Sequence, residues 1–202
     1  MDKRKFFKIL LIILILVGGV SLGIVLFGNT ERTGEKEPIS FEQLASDAEE
    51  CQILTEERIV RGNSLSPVIN SGDTVKILFN YYDCHPIERD DVIVYHYAGN
   101  ENPIIKIVKG LPGDSYELEE TGPGEWHILI NDQILKNSED KQYSISDNRY
   151  KMLSLYEDDC QNGIPQNTYL LLGNLASGSQ DSTRFGLVDK SDILGKVIYI
   201  ET

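Results

Sequence analysis

Apolar residues are spread along this 202-residue chain in three ways, and each predicts a different kind of structure. Over residues 9–27 they run without one charged side chain, about long enough at ~1.5 Å per residue to cross a bilayer core as a helix. The chain then turns polar over residues 28–38. Ser40-Phe41-Glu42-Gln43 follows with the spacing of a capping box, which predicts a short helix towards Glu50. From about Cys51 onward the helical period disappears, and short runs rich in Val, Ile and Tyr recur at 74–79, 92–97, 104–109, 126–131, 169–172 and 196–200. Turn signals part them, notably Ser71-Gly72-Asp73, Leu111-Pro112-Gly113-Asp114, Gly122-Pro123-Gly124 and Asn162-Gly163. The predicted body is mainly β, an antiparallel sheet or barrel-like domain, preceded by one N-terminal transmembrane helix. Residues 137–162 carry the least pattern and read as a polar, acidic, solvated excursion from the sheet.

Charge sharpens this division. The chain holds 19 Lys+Arg against 32 Asp+Glu, a net of −13 with pI near 4.6, and 41% of its residues are hydrophobic. That apolar fraction excludes a wholly disordered chain, and the acidic balance excludes an electrostatic grip on nucleic acid. Four bases, Lys3, Arg4, Lys5 and Lys8, nevertheless crowd the N-terminus beside a single acid, Asp2. Positive charge stays on the cytoplasmic side, so the tail is expected inside the cell and everything beyond Gly28 outside it.

A cleavable secretory peptide is the competing reading of the same segment. The run exceeds the usual apolar region of such peptides, and Leu26-Phe27-Gly28 offers no small-x-small cleavage pattern, so an uncleaved anchor is favoured. The expected organisation is a cytoplasmic basic tail over 1–8, a transmembrane anchor over 9–27, a juxtamembrane linker with a short helix over 28–50, and an extracytoplasmic domain over 51–202. Three cysteines, Cys51, Cys84 and Cys160, fall in the external part, and an odd count leaves at least one unpaired within the monomer. Cys84-His85 completes no metal-binding spacing, so neither a metal nor a cofactor is expected, and a buried or bridged cysteine accounts for it better.

Candidate chemistry starts at Arg61-Gly62-Asn63-Ser64-Leu65-Ser66-Pro67. Gly62 permits close backbone approach and Pro67 fixes a nearby φ, which makes Ser64 a constrained, exposed hydroxyl. A serine nucleophile needs a base, and none of His85, His96 and His127 lies in a recognisable triad context. Lysine is the other choice. In Ile104-Ile105-Lys106-Ile107-Val108, the period of two puts Lys106 on the face of Ile104 and Val108. An ammonium among apolar neighbours loses hydration, its pKa falls, and the neutral amine can take a proton from Ser64. On these residues alone an ordinary Ser/Gly/Pro turn and a solvent-facing lysine remain the plain alternatives.

The order of the pieces resembles one family. Gly62-Asn63-Ser64-Leu65-Ser66-Pro67 resembles the G-x-S-M-x-P box of type I signal peptidases, membrane-bound serine-lysine proteases, and Ser71-Gly72-Asp73-Thr74-Val75 resembles its trailing G-D-x-V. Arg89-Asp90-Asp91-Val92-Ile93-Val94-Tyr95 is similar to the family's R-G-D-I-V-V-F strand, and residues 105–114 to its Y/I-K-R-V-x-G-L-P-G-D base box. Residues 173–186 resemble the box G-D-N-R-x-x-S-x-D-S-R-x-x-G, and Gly195-Lys196 the closing G-K. Four boxes in order behind one N-terminal span make the resemblance specific.

Two departures are visible. Leu65 stands where Met is usual, a swap that conserves volume. Asn174-Leu175-Ala176 replaces Asp-Asn-Arg, and the expected arginine falls on Thr183 with Arg184 one place late, so part of the charged network around Asp181 is expected to be lost or rewired.

The resemblance implies a membrane-bound serine endopeptidase that removes signal peptides from exported preproteins, with Ser64 as nucleophile and neutral Lys106 as general base. Gly62 supplies no side-chain hydroxyl, so oxyanion stabilisation falls to backbone donors, chiefly the N–H of Ser64; Ser179 and Asp181 are the implied supporting pair, with Ser179 orienting the Lys106 amine. Substrate is expected to add to a strand edge and place small residues in shallow apolar pockets. Leu65, Val68, Ile69, Leu78, Phe79 and Tyr81 around the nucleophile serve either as contacts with membrane lipid or as β core. The implied location is the cell membrane, single-pass, with the N-terminus cytoplasmic. The altered 174–176 segment also suits a non-proteolytic relative that assembles pilin-like surface subunits.

Overall fold

A computed structural model of the chain describes residues 51–97, 102–157, 160 and 163–199. Strands, not helices, dominate its regular structure, because several Val/Ile/Tyr runs present two apolar faces. In β2 (Thr74–Phe79) Val75 and Ile77 enter one core cluster while Leu78 enters another. The same alternation separates Tyr169 and Leu171 from Leu170 and Leu172 in β9 (Thr168–Leu172). Strands buried on both faces belong at the centre of a sheet.

One sheet has seven strands in the order β1-β2-β11-β3-β4-β9-β10, all neighbours antiparallel. Here β1 is Leu54–Ile59, β3 Val92–Tyr95, β4 Ile104–Gly110, β10 Val188–Asp189 and β11 Ile193–Tyr199. Its pairing ends at β1 and β10 without closing among the described residues, the sheet form of the expected antiparallel body. A second sheet joins β5 (Tyr116–Gly122), β6 (Glu125–Ile130) and β7 (Gln133–Ile134), with β8 (Ser144–Ser146) also paired to β6. Among the described residues three α-helices interrupt the strands, α1 (Tyr81–Cys84), α2 (Asp147–Ser154) and α3 (Ser182–Phe185), with a 3-10 turn at Lys190–Asp192.

The mainly β, antiparallel character matches the sequence expectation, and the six apolar runs coincide with β2, β3, β4, β6, β9 and β11 to within a few residues. The stretch 137–162 differs from expectation. Tyr143, Ile145, Leu153 and Cys160 are all buried in one cluster with Tyr116, Ile128 and Leu172, so β8 and α2 are bound to the core. Their apolar side chains are too widely spaced in polar sequence to display a period, yet Ile145 and Leu153 are buried and Tyr150 packs against the same cluster. The choice between lipid contact and core for the residues near Ser64 resolves residue by residue. Leu65, Ile69, Leu78 and Tyr81 are buried, Phe79 packs against the core, and Val68 is exposed.

A disulfide joins Cys51 to Cys84 with their Cα atoms 5.8 Å apart, and Cys160 is free and buried. Closing 33 residues of chain this way stabilises the fold by about 3–4 kcal/mol on a chain-entropy argument. The expected helix after Ser40 and the apolar span 9–27 lie outside the described residues. Among the described residues, no helix is long and apolar enough to cross a membrane.

Candidate active site

The loop between β1 and β2 is closed at its base by Val60 N–H donating to the Asp73 carbonyl (2.8 Å) and Gly72 N–H to the Val60 carbonyl (2.9 Å). Inside it Leu65 and Ile69, each 1% exposed, insert into the cluster that contains Val75, Ile77, Val94 and Ile107. These two anchors hold Ser64 at a fixed height above the sheet. Gly62 reaches that turn with φ +88°, a left-handed conformation that favours glycine. Among the described residues the Ser64 N–H has no intramolecular acceptor.

Lys106 comes from β4, paired with Ile93 of β3, and is 3% exposed. Its Nζ lies 2.9 Å from Ser64 Oγ and donates to the Ile105 carbonyl at 2.7 Å. Burial pushes the amine down from the usual lysine range to about 8, against a smaller upward pull from the Asp181 carboxylate. Two residues 42 positions apart in sequence thus form an alcohol–amine pair in which the amine is short of water.

Asn174, which departs from the resembled box, is 1% exposed and ties the site together. Its N–H donates to the Ser64 carbonyl (2.7 Å), and its Nδ2 donates to the Ser66 carbonyl (2.9 Å) and to Ser138 Oγ (2.7 Å). Its own carbonyl accepts from Asn137 Nδ2 at 2.8 Å. Gly173 beside it has no room for a side chain: a Cβ there would stand 2.7 Å from the Ser64 carbonyl oxygen and closer still to Ser179 Oγ.

Asp181 is fully buried and accepts five hydrogen bonds. Oδ2 takes Gly173 N–H (3.1 Å), Ser179 N–H (3.0 Å) and Ser179 Oγ (2.7 Å); Oδ1 takes Thr183 N–H (3.1 Å) and Thr183 Oγ1 (2.6 Å). The Ser179 hydroxyl therefore spends its proton on Asp181, whereas the Lys106 amine bonds Ser64 and Ile105, which differs from the orienting contact that the resemblance implied. A cation reaches Asp181 from an unforeseen direction: Arg149 Nη1, on α2, stands 3.8 Å from Oδ1. No sequence signal marked Arg149, because α2 lies in the unpatterned stretch.

A cleft of about 800 Å³ opens at this pair, bounded on one side by residues 57–61 and on the other by 102–106, with Val75 and Ile77 as its floor. Among the described residues no histidine lines it. His85 stacks on Tyr81 at 4.1 Å instead, and the backbone of His96 bonds Asp192.

Comparison with known proteins bears on the same span of chain. A family model described as signal peptidase, peptidase S26, matches residues 50–201. Signal peptidase IB of Staphylococcus aureus is 29% identical over 146 residues, covering 69% of this chain and 74% of that protein. Signal peptidase I of Bacillus caldolyticus is 30% identical over 149 residues, covering 69% and 75% respectively. A crystal structure of a signal peptidase I from Enterococcus faecalis V583 is 21% identical and covers 55% of this chain and 97% of that one, with a TM-score of 0.40.

Proposed function

The chain belongs to the signal peptidase family, peptidase S26, and on that premise we propose that it removes signal peptides from exported preproteins at the outer face of the membrane. The observation that carries the mechanism is the 2.9 Å approach of Ser64 Oγ to a buried amine. With Lys106 neutral, its lone pair takes the hydroxyl proton as Oγ bonds to the scissile carbonyl carbon. Charge gathers on the carbonyl oxygen, where the Ser64 N–H is a donor without another partner among the described residues. The tetrahedral intermediate collapses as protonated Lys106 gives that proton to the leaving amine, and an ester on Ser64 remains. Water then transfers a proton to Lys106 and adds to the ester carbonyl; as the adduct collapses Lys106 returns that proton to the departing Ser64 Oγ, and the new carboxylic acid ionises in solvent.

The exposed edge of β1 beside the cleft suits an extended substrate, because a strand laid there gains main-chain hydrogen bonds. The run 9–27 serves as the anchor, with the N-terminus cytoplasmic and 51–202 as the extracytoplasmic peptidase domain. Tethering raises the effective concentration of enzyme where signal peptides emerge.

Full-length protein in detergent, incubated with a preprotein, tests this. Cleavage at one site, lost in both Ser64→Ala and Lys106→Ala, is expected. Retention of the preprotein on the parent chain without any cleavage overturns the reading in favour of a non-proteolytic assembly factor.

A further inference from the structure

We propose that Arg149 is a positioning residue for this site: from α2 it neutralises the buried Asp181 carboxylate and locks the 179–183 loop, and through Asp181 it acts on the Ser64–Lys106 pair. The inference rests on the peptidase reading for its meaning, but its geometry stands apart from it.

A carboxylate with no exposure needs both hydrogen bonds and an opposite charge. Five donors meet the first need. Among the described residues, Arg149 is the cation in ion-pair contact with Asp181. Its Nη1 also donates to the Ser179 carbonyl at 3.0 Å and to the Thr183 hydroxyl, gripping the loop two residues either side of Asp181. The seat is fitted to the guanidinium, because a Cβ on Gly178 would collide with Nη1, and Gly178 sits at φ +87°.

From Asp181 the path to the reacting atoms is short. Oδ2 holds the Gly173 N–H, and Asn174, the next residue, holds the Ser64 carbonyl. The charged path is equally direct, since the Asp181 carboxylate pulls the Lys106 pKa upward. Other groups that feel the same carboxylate are the phenols of Tyr95 on β3 and Tyr143, both raised chiefly by burial, while Arg184 of α3 opposes Arg149 by like charge. With Arg149 in place part of Asp181's field is spent on the guanidinium. Without it, the field falls on the Lys106 ammonium and stabilises the protonated, inactive base.

The test is a titration of the lysine amines by NMR on the full-length chain in detergent micelles, with Lys106 identified by the signal missing from Lys106→Met. Arg149→Gln, which keeps a donor and loses the charge, is expected to move the Lys106 midpoint up by about half a pH unit or more. The acid limb of cleavage should move by the same amount, with the loss in kcat and little change in KM. Arg149→Lys is expected to restore both midpoints. In an Asp181→Asn background, where no charge awaits neutralisation, Arg149→Gln should move the Lys106 midpoint clearly less than in the parent, although the loop still loses the bonds to Ser179 and Thr183; this pair also decides the matter if Arg149→Gln alone does not fold. An unchanged or lowered midpoint, or an equal shift in both backgrounds, overturns the proposal and leaves Arg149 as a brace for the loop. If the parent chain cleaves nothing, the peptidase reading fails by itself, while the titration still judges Arg149.

Discussion

Lys106 on β4 and Lys196 on β11 are both withdrawn from water within one sheet, and they differ in what stands opposite the amine. Lys196 Nζ lies 2.8 Å from Asp91 Oδ1 and above the Tyr81 ring, and Asp91 also accepts from Tyr82 Oη at 3.0 Å. Lys106 faces the Ser64 alcohol and a backbone carbonyl. A carboxylate offsets the hydration that an ammonium loses; an alcohol does not. Burial alone therefore makes no base. The same desolvation gives a strut where an acid is in contact, and an amine near pKa 8 where the nearby acid, Asp181, exerts only a smaller pull.

The largest effect is expected from replacing Lys106. Lys106→Met should lower kcat/KM for preprotein by about 10²–10⁴-fold while the melting temperature holds or rises, since an apolar chain suits that site better than an amine. Steady-state cleavage together with a thermal melt checks this. A variant within tenfold of the parent would show that burial without a carboxylate partner does not define the base.

Breaking the other pair should have the opposite signature. Asp91→Ala leaves the Lys196 ammonium and the Tyr82 hydroxyl without their acceptor, and a loss of about 3–5 kcal/mol is expected. Denaturant unfolding reads the loss, and cleavage per folded molecule should stay within about twofold of the parent. If Asp91→Ala instead spares stability and removes activity, the two lysines have been assigned to the wrong tasks.

The contrast between these lysines also marks what can be read from sequence. Strands β2, β3, β4, β6, β9 and β11 announce themselves because each buries a Val/Ile/Leu/Tyr run, and Lys106 stands out as a charge inside such a run. Edge strand β1 does not, since Leu54-Thr55-Glu56-Glu57-Arg58-Ile59 is exposed along its whole length and held by hydrogen bonds to β2. Helix α2 is silent for a similar reason. Only Leu153 in it is buried, so no apolar face repeats. Arg149 and Asn174 act through contacts between segments far apart in the chain, and local pattern carries no trace of such contacts. The segment 174–176, read as a departure from a box, turns out to hold Ser64 by its backbone.

Gly173 offers a way to sharpen the comparison from the alcohol's side. Gly173→Ala would press a methyl group on the Ser64 carbonyl, which is backbone and cannot easily retreat, and on the Ser179 side chain, which is held by Asp181. A stability loss of about 1–3 kcal/mol is expected from overpacking, with a fall in kcat that exceeds it as Ser64 is displaced from the amine. An active, unperturbed Gly173→Ala would show that the Ser64–Lys106 distance is set by β4 alone.

The smallest effect is one of pH, and its sign follows from the direction of the Lys106 shift. The folded amine titrates near 8, so its reactive neutral form grows about tenfold between pH 7 and pH 9, and log kcat/KM should rise with it and then level off. In the unfolded chain the same lysine titrates at its ordinary 10.5, so between about 8 and 10.5 the unfolded state binds more protons than the folded one. Stability from this residue therefore increases with pH across that window, by on the order of 1 kcal/mol per pH unit, and the increase should vanish in Lys106→Met. Lys196→Met, which removes a paired lysine, should leave the rate profile unmoved. A cleavage rate flat from pH 7 to pH 9, or the same stability slope with and without Lys106, would mean that the amine is charged in the fold and that its distance from a carboxylate has no chemical consequence.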